Sequence, residues 1–190
     1  MKKKDIVSQI QQALSDYTPK TLAQPTASPA AVLILVRVGV GEPQIVFTER
    51  THQVEHHKGQ VSFPGGACDD DDASPEATAL RETFEEIGVR PDDVRLLGRL
   101  DDMVTISNFR VTPFVGVITS ESSYEYKVND EEVASIIEVP LKFLLDEQNM
   151  ELEVREHDGR EVLVPAFAYD GHRIWGATAR MTHQLVELIR

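Results

Sequence analysis

Apolar and polar residues follow helical spacing in some parts of the chain and extended spacing in others, which predicts a fold with both helices and strands. Ile6, Ile10 and Leu14 recur at helical spacing and predict an N-terminal helix. The continuous apolar run AAVLILVRV, residues 30–38, is typical of a strand buried on both faces. The next run, PQIVFTER at 43–50, is expected to be its neighbour in a sheet.

The second half of the chain continues in the same mixed manner. Predicted strands are VRLLGRL, RVTPFVGVIT and EVASIIEV, followed by a short helix from Pro140. Residues 151–169 predict a hairpin that turns at Asp158-Gly159, and the chain closes with an amphipathic helix. We therefore expect one α+β domain with helices covering a mixed sheet, in which residues 1–29 form the first helix and a connector and residues 30–190 the main body.

One predicted helix carries an unusual number of acids. It should begin at Ser74-Pro75 and end at Gly88. At about 100° per residue, one face is expected to pack on the core and the opposite face to gather three carboxylates, with Arg81 restraining Glu85. The expected core face is Ala77, Leu80, Phe84 and Ile87, and the expected acidic face is Glu82, Glu85 and Glu86.

An acidic face of this kind has two interpretations. Exposed glutamates are common on solvated helices, and on periodicity alone that interpretation is favoured. The glycine-rich turn FPGG at 63–66 and the run DDDD at 69–72, both just before the helix, favour a cation site instead. Hard oxygen ligands suit Mg²⁺ or Mn²⁺, which in turn bind phosphate oxygens.

Composition narrows the classes of protein that remain. The chain of 190 residues has 41% hydrophobic and 27% charged residues, as globular domains do, and its formal net charge of −13 argues against a nucleic-acid binder. An anionic substrate would need a metal or local basic groups to offset that charge. Cys68 is a single cysteine, so no internal disulfide is expected. No apolar stretch is long enough for a membrane span, and glutamines interrupt the N-terminal segment where a signal peptide would be apolar, so we expect a cytoplasmic protein.

The combination of FPGG, DDDD and RETFEEIGV resembles the Nudix box, the metal-binding loop–helix–loop of the Nudix hydrolases. The family's Gly and its following acid correspond to Gly66 and Asp72, although the acid is usually Glu. Eight residues separate Asp72 from Arg81, where the common pattern has seven, and Thr83 stands at a hydrophobic position. The resemblance implies a Nudix-type α/β/α sandwich and hydrolysis of a diphosphate joined to another moiety.

The two spacing departures, together with the upstream residues, resemble the coenzyme A diphosphatase branch of this family. Thr48-Glu49-Arg50 and then Gly59 before FPGG match that branch, whereas Glu55 stands where it usually has a second Arg. Downstream, FRVTPFVG and IWGATARM are also similar to it, so the resemblance covers roughly residues 30–185.

The resemblance also implies roles for individual residues. Glu82 and Glu86 are expected as metal ligands, Glu85 as either a ligand or the general base, and Arg81 as the residue that orients them. A carbonyl of the Gly65–Ala67 turn is expected to supply a further ligand, and Glu132 is either a ligand or the base. The predicted catalytic residues are thus Arg81, Glu85, Glu86 and Glu132.

Basic groups are needed for the substrate's phosphates, and Arg50, Lys58 and Arg110 are the candidates, with Gly65 and Gly66 at the same site. The favoured hypothesis is cleavage of coenzyme A or its thioesters to 4′-phosphopantetheine, free or acylated, and adenosine 3′,5′-bisphosphate. The alternatives are a Nudix enzyme for ADP-ribose, NADH or a dinucleotide, a binding module without turnover, and a calcium-binding domain. The sequence leaves the oligomeric state open, and a homodimer is compatible with it.

Overall fold

The computed structural model of the protein describes residues 3–39, 41–51, 59–118, 124–157 and 160–190. The helices are α1 (Lys3–Asp16), α2 (Pro75–Ile87), α3 (Leu141–Leu145) and α4 (Gly176–Ile189). The strands are β1 (Ser28–Arg37), β2 (Gln44–Arg50), β3 (Val61–Ser62), β4 (Gly65–Ala67), β5 (Val94–Arg99), β6 (Met103–Val104), β7 (Phe109–Ile118), β8 (Val133–Pro140), β9 (Met150–His157), β10 (Arg160–Tyr169) and β11 (His172–Ile174).

The main sheet is mixed. Its path runs β3-β2-β1-β7-β5, with β4 paired to β1, β6 to β7 and β8 to β2. The central strands β1 and β7 are parallel, whereas the remaining pairs are antiparallel, including the predicted neighbours β1 and β2. A second antiparallel sheet, β11-β10-β9, contains the predicted hairpin, whose turn at 158–159 lies outside the described residues.

Helices cover the main sheet on both faces, which confirms the predicted α+β sandwich. On one face, Ile6, Ile10 and Leu14 of α1 pack with α4 residues such as Leu185 in a single buried cluster. On the other face, α2 contributes to a second cluster, which consists of Ala31, Leu33, Leu35, Val46, Ala79, Ile87, Val89, Phe114, Ile118 and Val133. The strands are apolar on both faces because each face has a helix to bury it. Within the described residues, no helix has the length and apolar character to cross a bilayer.

The orientation of α2 differs from the one expected. The periodicity predicts Phe84 on the core face, yet it is 50% exposed, and Glu86, predicted on the outer face, is only 2% exposed. The buried face is turned by roughly 110° about the helix axis from the predicted one, and it consists of Thr78, Ala79, Thr83, Glu86 and Ile87. Small side chains on this face let the helix approach the sheet closely, and the Thr83 hydroxyl is satisfied by donating to the Ala79 carbonyl at 2.6 Å.

Candidate active site

The acidic helix α2 is fixed at both ends by the residues that the sequence indicated. Ser74 Oγ accepts a hydrogen bond from the Ala77 N–H at 3.2 Å, which caps the first turn. Gly88 adopts φ 72°, and its N–H donates to the Phe84 carbonyl at 2.8 Å. Because both ends are fixed, the directions of the glutamates on the helix are fixed as well.

Arg81 links the acidic loop to the acidic helix. Its Nε and Nη2 donate to the two oxygens of Asp72, both at 2.9 Å, and its Nη1 donates to Glu82 and Glu85, again at 2.9 Å each. Nη2 also lies 3.3 Å from the Ala67 carbonyl oxygen. Hydrogen bonds from Arg81 hold the pKa of Asp72 well below its usual range, and those bonds likewise raise the pKa of Arg81. The predicted restraint of Glu85 by Arg81 is confirmed as a contact.

Of the four consecutive aspartates, Asp72 is held by hydrogen bonds within the turn, and its neighbours are exposed. Asp72 accepts from the Thr78 hydroxyl at 2.8 Å and from the Asp69 N–H at 3.0 Å, in addition to Arg81. Asp70 and Asp71 are exposed. The run therefore shapes the turn before α2 through Asp72.

Glu86 is a buried carboxylate with little positive charge to offset it. Gly65 N–H donates to its Oε2 at 3.3 Å, and Arg50 Nη1 lies 3.7 Å from its Oε1. The pKa of Glu86 is raised from 4.5 to about 8, chiefly by burial and in smaller part by the carboxylates of Glu82 and Glu132, against the lowering effect of Arg50 and of the Gly65 N–H. This carboxylate is placed where a cation would stabilise its charged form.

The glycine turn of β4 lies directly against the two inner glutamates. A Cβ on Gly66 would come within 2.6 Å of the Glu82 carboxylate carbon, so any other residue at position 66 would displace that carboxylate. Gly65 has φ 147°, and a Cβ there would lie 2.3 Å from the Ala31 carbonyl oxygen. Glu82 is partly buried, and burial raises its pKa as well.

Glu132 belongs to the same cluster although it lies far along the chain from α2, just before β8. Its carboxylate accepts from Asn129 Nδ2 at 3.2 Å, and its charge raises the pKa of both Glu82 and Glu86. The segment is anchored by Asn129 N–H to the Glu86 carbonyl at 2.9 Å and by Thr51 N–H to the Glu132 carbonyl at 2.9 Å. The tertiary structure thus brings Glu132 beside the acidic helix.

The donor atoms fit a divalent cation, although they do not enclose one in advance. Across the part of the chain that the structure describes, no three acidic, histidine or cysteine side chains form a ready-made metal cluster. Arg81 accounts for this in part, because it holds Glu85 outward and occupies one oxygen of Glu82. Glu82, Glu86 and the peptide oxygens of the β4 turn remain, and they are the hard oxygen donors that Mg²⁺ and Mn²⁺ take.

The predicted phosphate-binding residues do not all meet at this cluster. Arg50 lies at the cluster, where its guanidinium contacts the Glu86 carboxylate. Arg110 instead lines a cavity at the first turn of α2, where its Nη1 donates to the Leu22 carbonyl at 3.3 Å. Lys58, like Glu55 and the two neighbouring histidines, lies outside the described residues.

Two participants were not identified by the sequence analysis. Thr78 supports Asp72, and its position six residues after that acid carried no recognisable signal. Asn129 binds both the backbone of Glu86 and the side chain of Glu132. Asn before an acidic turn is a common turn-forming pattern, and it would have pointed to a structural role for Asn129.

Comparison with known proteins agrees with this geometry. Residues 27–162 match the family model described as NUDIX domain. A protein of Enterobacter sp. (strain 638) named "Uncharacterized Nudix hydrolase NudL" is 39% identical over 160 residues, which cover 82% of this chain and 80% of the relative. A protein of the same name from Pectobacterium atrosepticum is 37% identical over 158 residues, with the same coverage.

Among solved structures, a MutT/nudix family protein from Enterococcus faecalis matches with a TM-score of 0.50 and 14% identity, covering 92% of this chain and 63% of that chain. That likeness concerns the fold alone. The family model and the curated relatives, each of which covers most of the chain, establish more: the chain belongs to the Nudix family and is an enzyme of its diphosphatase class, a Nudix hydrolase.

Proposed function

We propose that this Nudix hydrolase cleaves the diphosphate of coenzyme A or its acyl thioesters. The products are 4′-phosphopantetheine, free or acylated, and adenosine 3′,5′-bisphosphate. The observation that carries the proposal is the contact between Arg50 and Glu86. Arg50 ends the Thr48-Glu49-Arg50 motif that resembles the coenzyme A diphosphatases, and the contact joins that motif to the catalytic helix in one site.

The proposed reaction is attack of water on one phosphorus of the diphosphate. A new bond forms between the water oxygen and phosphorus, the bond to the bridging oxygen breaks, and the water proton passes to a general base. A divalent ion, Mg²⁺ or Mn²⁺, supplies neutralisation of the phosphate charge and a lowered pKa for the attacking water. Glu82, Glu86 and a peptide oxygen of the Gly65–Ala67 turn would hold it.

Of the two candidates for the general base, Glu132 is better placed than Glu85. Arg81 donates to the Glu85 carboxylate at 2.9 Å, and that carboxylate is half exposed, so it is held at the outer edge of the cluster. Glu132 has an amide partner instead and lies within electrostatic reach of Glu82 and Glu86. We assign the base to Glu132, the orienting role to Arg81 and contact with the diphosphate to Arg50, Gly65 and Gly66.

A Nudix enzyme for another nucleoside diphosphate derivative, such as ADP-ribose, NADH or a dinucleotide, is the second candidate. Glu55 favours it, because an acid stands where the coenzyme A branch usually has a basic residue. An acid at that position would repel an additional phosphate on the substrate rather than attract it.

The two candidates are separated by their products. Coenzyme A, dephospho-coenzyme A, ADP-ribose and NADH are offered in parallel with Mg²⁺ or Mn²⁺, and products are identified by mass spectrometry, with Glu86→Gln as the inactive control. The proposal expects adenosine 3′,5′-bisphosphate as the dominant product, absent with the variant. Faster cleavage of the substrates that lack a 3′-phosphate would refute it in favour of the second candidate.

A further inference from the structure

A cavity of about 350 Å³ lies apart from the glutamate cluster but on the same face of the sheet. It is lined by the first turn of α2 together with Thr21, Arg99 and Arg110. Arg110 and Phe114 are four residues apart on β7, so their side chains lie on the same face of the sheet. Phe114 belongs to the core cluster beneath α2, and Arg110 therefore points to the α2 side. The cavity is therefore accessible to a molecule bound along α2.

Arg110 enters this cavity with most of its hydrogen-bonding capacity unused. Its Nε is buried and has no acceptor, and its guanidinium donates only to the Leu22 carbonyl through Nη1. Within the described residues Arg110 forms no ion pair with any carboxylate. Buried donors without acceptors are rare because they lose their hydration without replacement, and an anionic ligand in the cavity would supply the acceptor that Arg110 lacks.

Arg99, the second arginine of the lining, is already compensated. Its Nη1 donates to Asp102 at 2.9 Å and its Nη2 to the Thr21 hydroxyl at 2.6 Å. Asp102 also accepts from the Thr112 hydroxyl at 2.9 Å and the Leu22 N–H at 3.0 Å. The charges of Arg99 and Asp102 offset each other, so the remaining charged side chains of the lining are Arg110 and, on the first turn of α2, Glu76.

The distance from the cavity to the glutamates suits one nucleotide. At 1.5 Å per residue, Glu76 at the cavity and Glu82 at the cluster differ by about 9 Å along the helix axis. A nucleotide whose 5′-diphosphate lies at Glu82 and Glu86 can extend a second phosphate on its ribose in this direction. A second cavity has Arg180 and His183 of α4 in its lining, and α4 lies across the sheet from α2.

We propose that this cavity binds a phosphate monoester of the substrate, the 3′-phosphate of the coenzyme A nucleotide, through the Arg110 guanidinium. A monoester is close to a dianion at neutral pH and offers three acceptor oxygens, which suits a guanidinium with free donors. This inference rests on the proposed function for the identity of the substrate. The presence of a monoester subsite can be measured separately.

The first test is binding without turnover. Titration calorimetry compares adenosine 3′,5′-bisphosphate with adenosine 5′-monophosphate on the wild-type protein, on Arg110→Gln and on Arg110→Lys. We expect the wild type to prefer the bisphosphate by about tenfold or more, the factor for one charge-assisted hydrogen-bonded pair. Arg110→Gln should reduce the preference to about twofold or less. Arg110→Lys should retain part of it, because lysine keeps the charge but lacks the paired N–H donors of the planar guanidinium.

Matched variants separate the subsite from a general effect of charge. Arg95→Gln removes the same charge from an exposed position on β5, and Arg180→Gln removes it from the other cavity. Both should leave the preference unchanged, whereas Glu76→Gln, which removes a carboxylate from the lining, should increase it. An unchanged preference in Arg110→Gln, or its loss in Arg180→Gln, would overturn the inference. Thermal melting of each variant confirms that it is folded.

The second test uses turnover and distinguishes this inference from the proposed function. Arg110→Gln should lower the ratio of kcat/KM for coenzyme A over dephospho-coenzyme A to near one, mainly through KM. If the wild type cleaves coenzyme A and the variant keeps the wild-type ratio, the subsite is refuted and the proposed function stands. If the wild type does not cleave coenzyme A but its bisphosphate preference depends on Arg110, the proposed function fails and a monoester subsite is supported.

Discussion

Arg50 at the end of β2 places its Nη1 3.7 Å from Oε1 of Glu86, a glutamate of α2 that is 2% exposed. The two residues are far apart in the sequence and meet because β2 and β4 both pair with β1, while α2 packs against β4. The arginine reduces the cost of burying the carboxylate but does not remove it, since the pKa of Glu86 remains raised to about 8. This residual cost leads to the first prediction.

The metal-free protein should become less stable as the pH rises, because the buried Glu86 carboxyl loses its proton. Its folded-state pKa of about 8 lies above the ordinary 4.5, so the folded state binds more protons between these values. The free energy of unfolding should therefore fall from about pH 4.5 to about pH 8, by an amount on the order of a few kcal/mol. Urea titrations in EDTA across this range should show the fall in the wild type and a much smaller one in Glu86→Gln. Glu161→Gln, at an exposed position on β10, should behave as the wild type does.

Divalent metal should reverse this pH dependence. A ligand carboxylate must be deprotonated, so binding of Mn²⁺ releases a proton from Glu86 and strengthens as the pH rises. We expect the increase in melting temperature on addition of Mn²⁺ to be larger at pH 8 than at pH 5.5. An equal increase at both pH values, or one that survives in Glu86→Gln, would show that the metal binds elsewhere.

Substitution of Glu132 should reduce kcat more than substitution of Glu85. Glu132→Gln should lower kcat by about 10²-fold or more, as loss of a general base does. Glu85→Gln should cost less than about tenfold, because the Glu85 carboxylate is exposed and held outward by Arg81. The two variants are compared in steady-state assays at saturating metal, and a larger loss for Glu85→Gln would reassign the base.

Arg81→Lys should impair catalysis while leaving the fold intact. A lysine keeps the charge but cannot reproduce the paired bonds to Asp72 together with those to Glu82 and Glu85. We expect a loss of about 10–100-fold in activity or metal affinity, as for other groups that orient metal ligands. Arg90→Lys is the control, since Arg90 forms an exposed pair with Asp93. Equal activity in the two variants would contradict the orienting role.

The two glycines of the β4 turn should respond differently to alanine. In Gly66→Ala the three atoms nearest to the new Cβ all belong to the flexible end of Glu82, so the fold should persist while metal affinity falls. In Gly65→Ala it meets the Ala31 backbone at a positive φ, and we expect a loss of roughly 1–3 kcal/mol or more in unfolding free energy. Urea titration and metal titration of both variants measure the difference. Similar destabilisation of the two variants would mean that the Glu82 side chain cannot move aside for the new Cβ.

The order and type of the elements could be predicted from the sequence because their signals are local. The run at 30–38 is apolar at nearly every position, and β1 is buried on both faces. Ser74 and Gly88 marked the ends of α2 because capping depends on side chains within one turn. The Arg81-to-Glu86 motif pointed to the site for the same reason, since its members are neighbours on one helix.

The rotation of α2 and the membership of the site were decided by the tertiary structure. Periodicity shows which residues share a face, but Phe84 and Glu86 exchanged their expected environments because the close approach to the β4 glycines favoured small residues on the buried side. Arg50, Glu132 and Arg110 are distributed by strand pairing, which brings the first two to Glu86 and carries the third to another cavity. By itself the sequence determined the elements, the motif of the Nudix family and the excess of acid, all of which are local or compositional. Which carboxylate is buried, and which arginine reaches it, depends on long-range packing that no short stretch of the chain encodes.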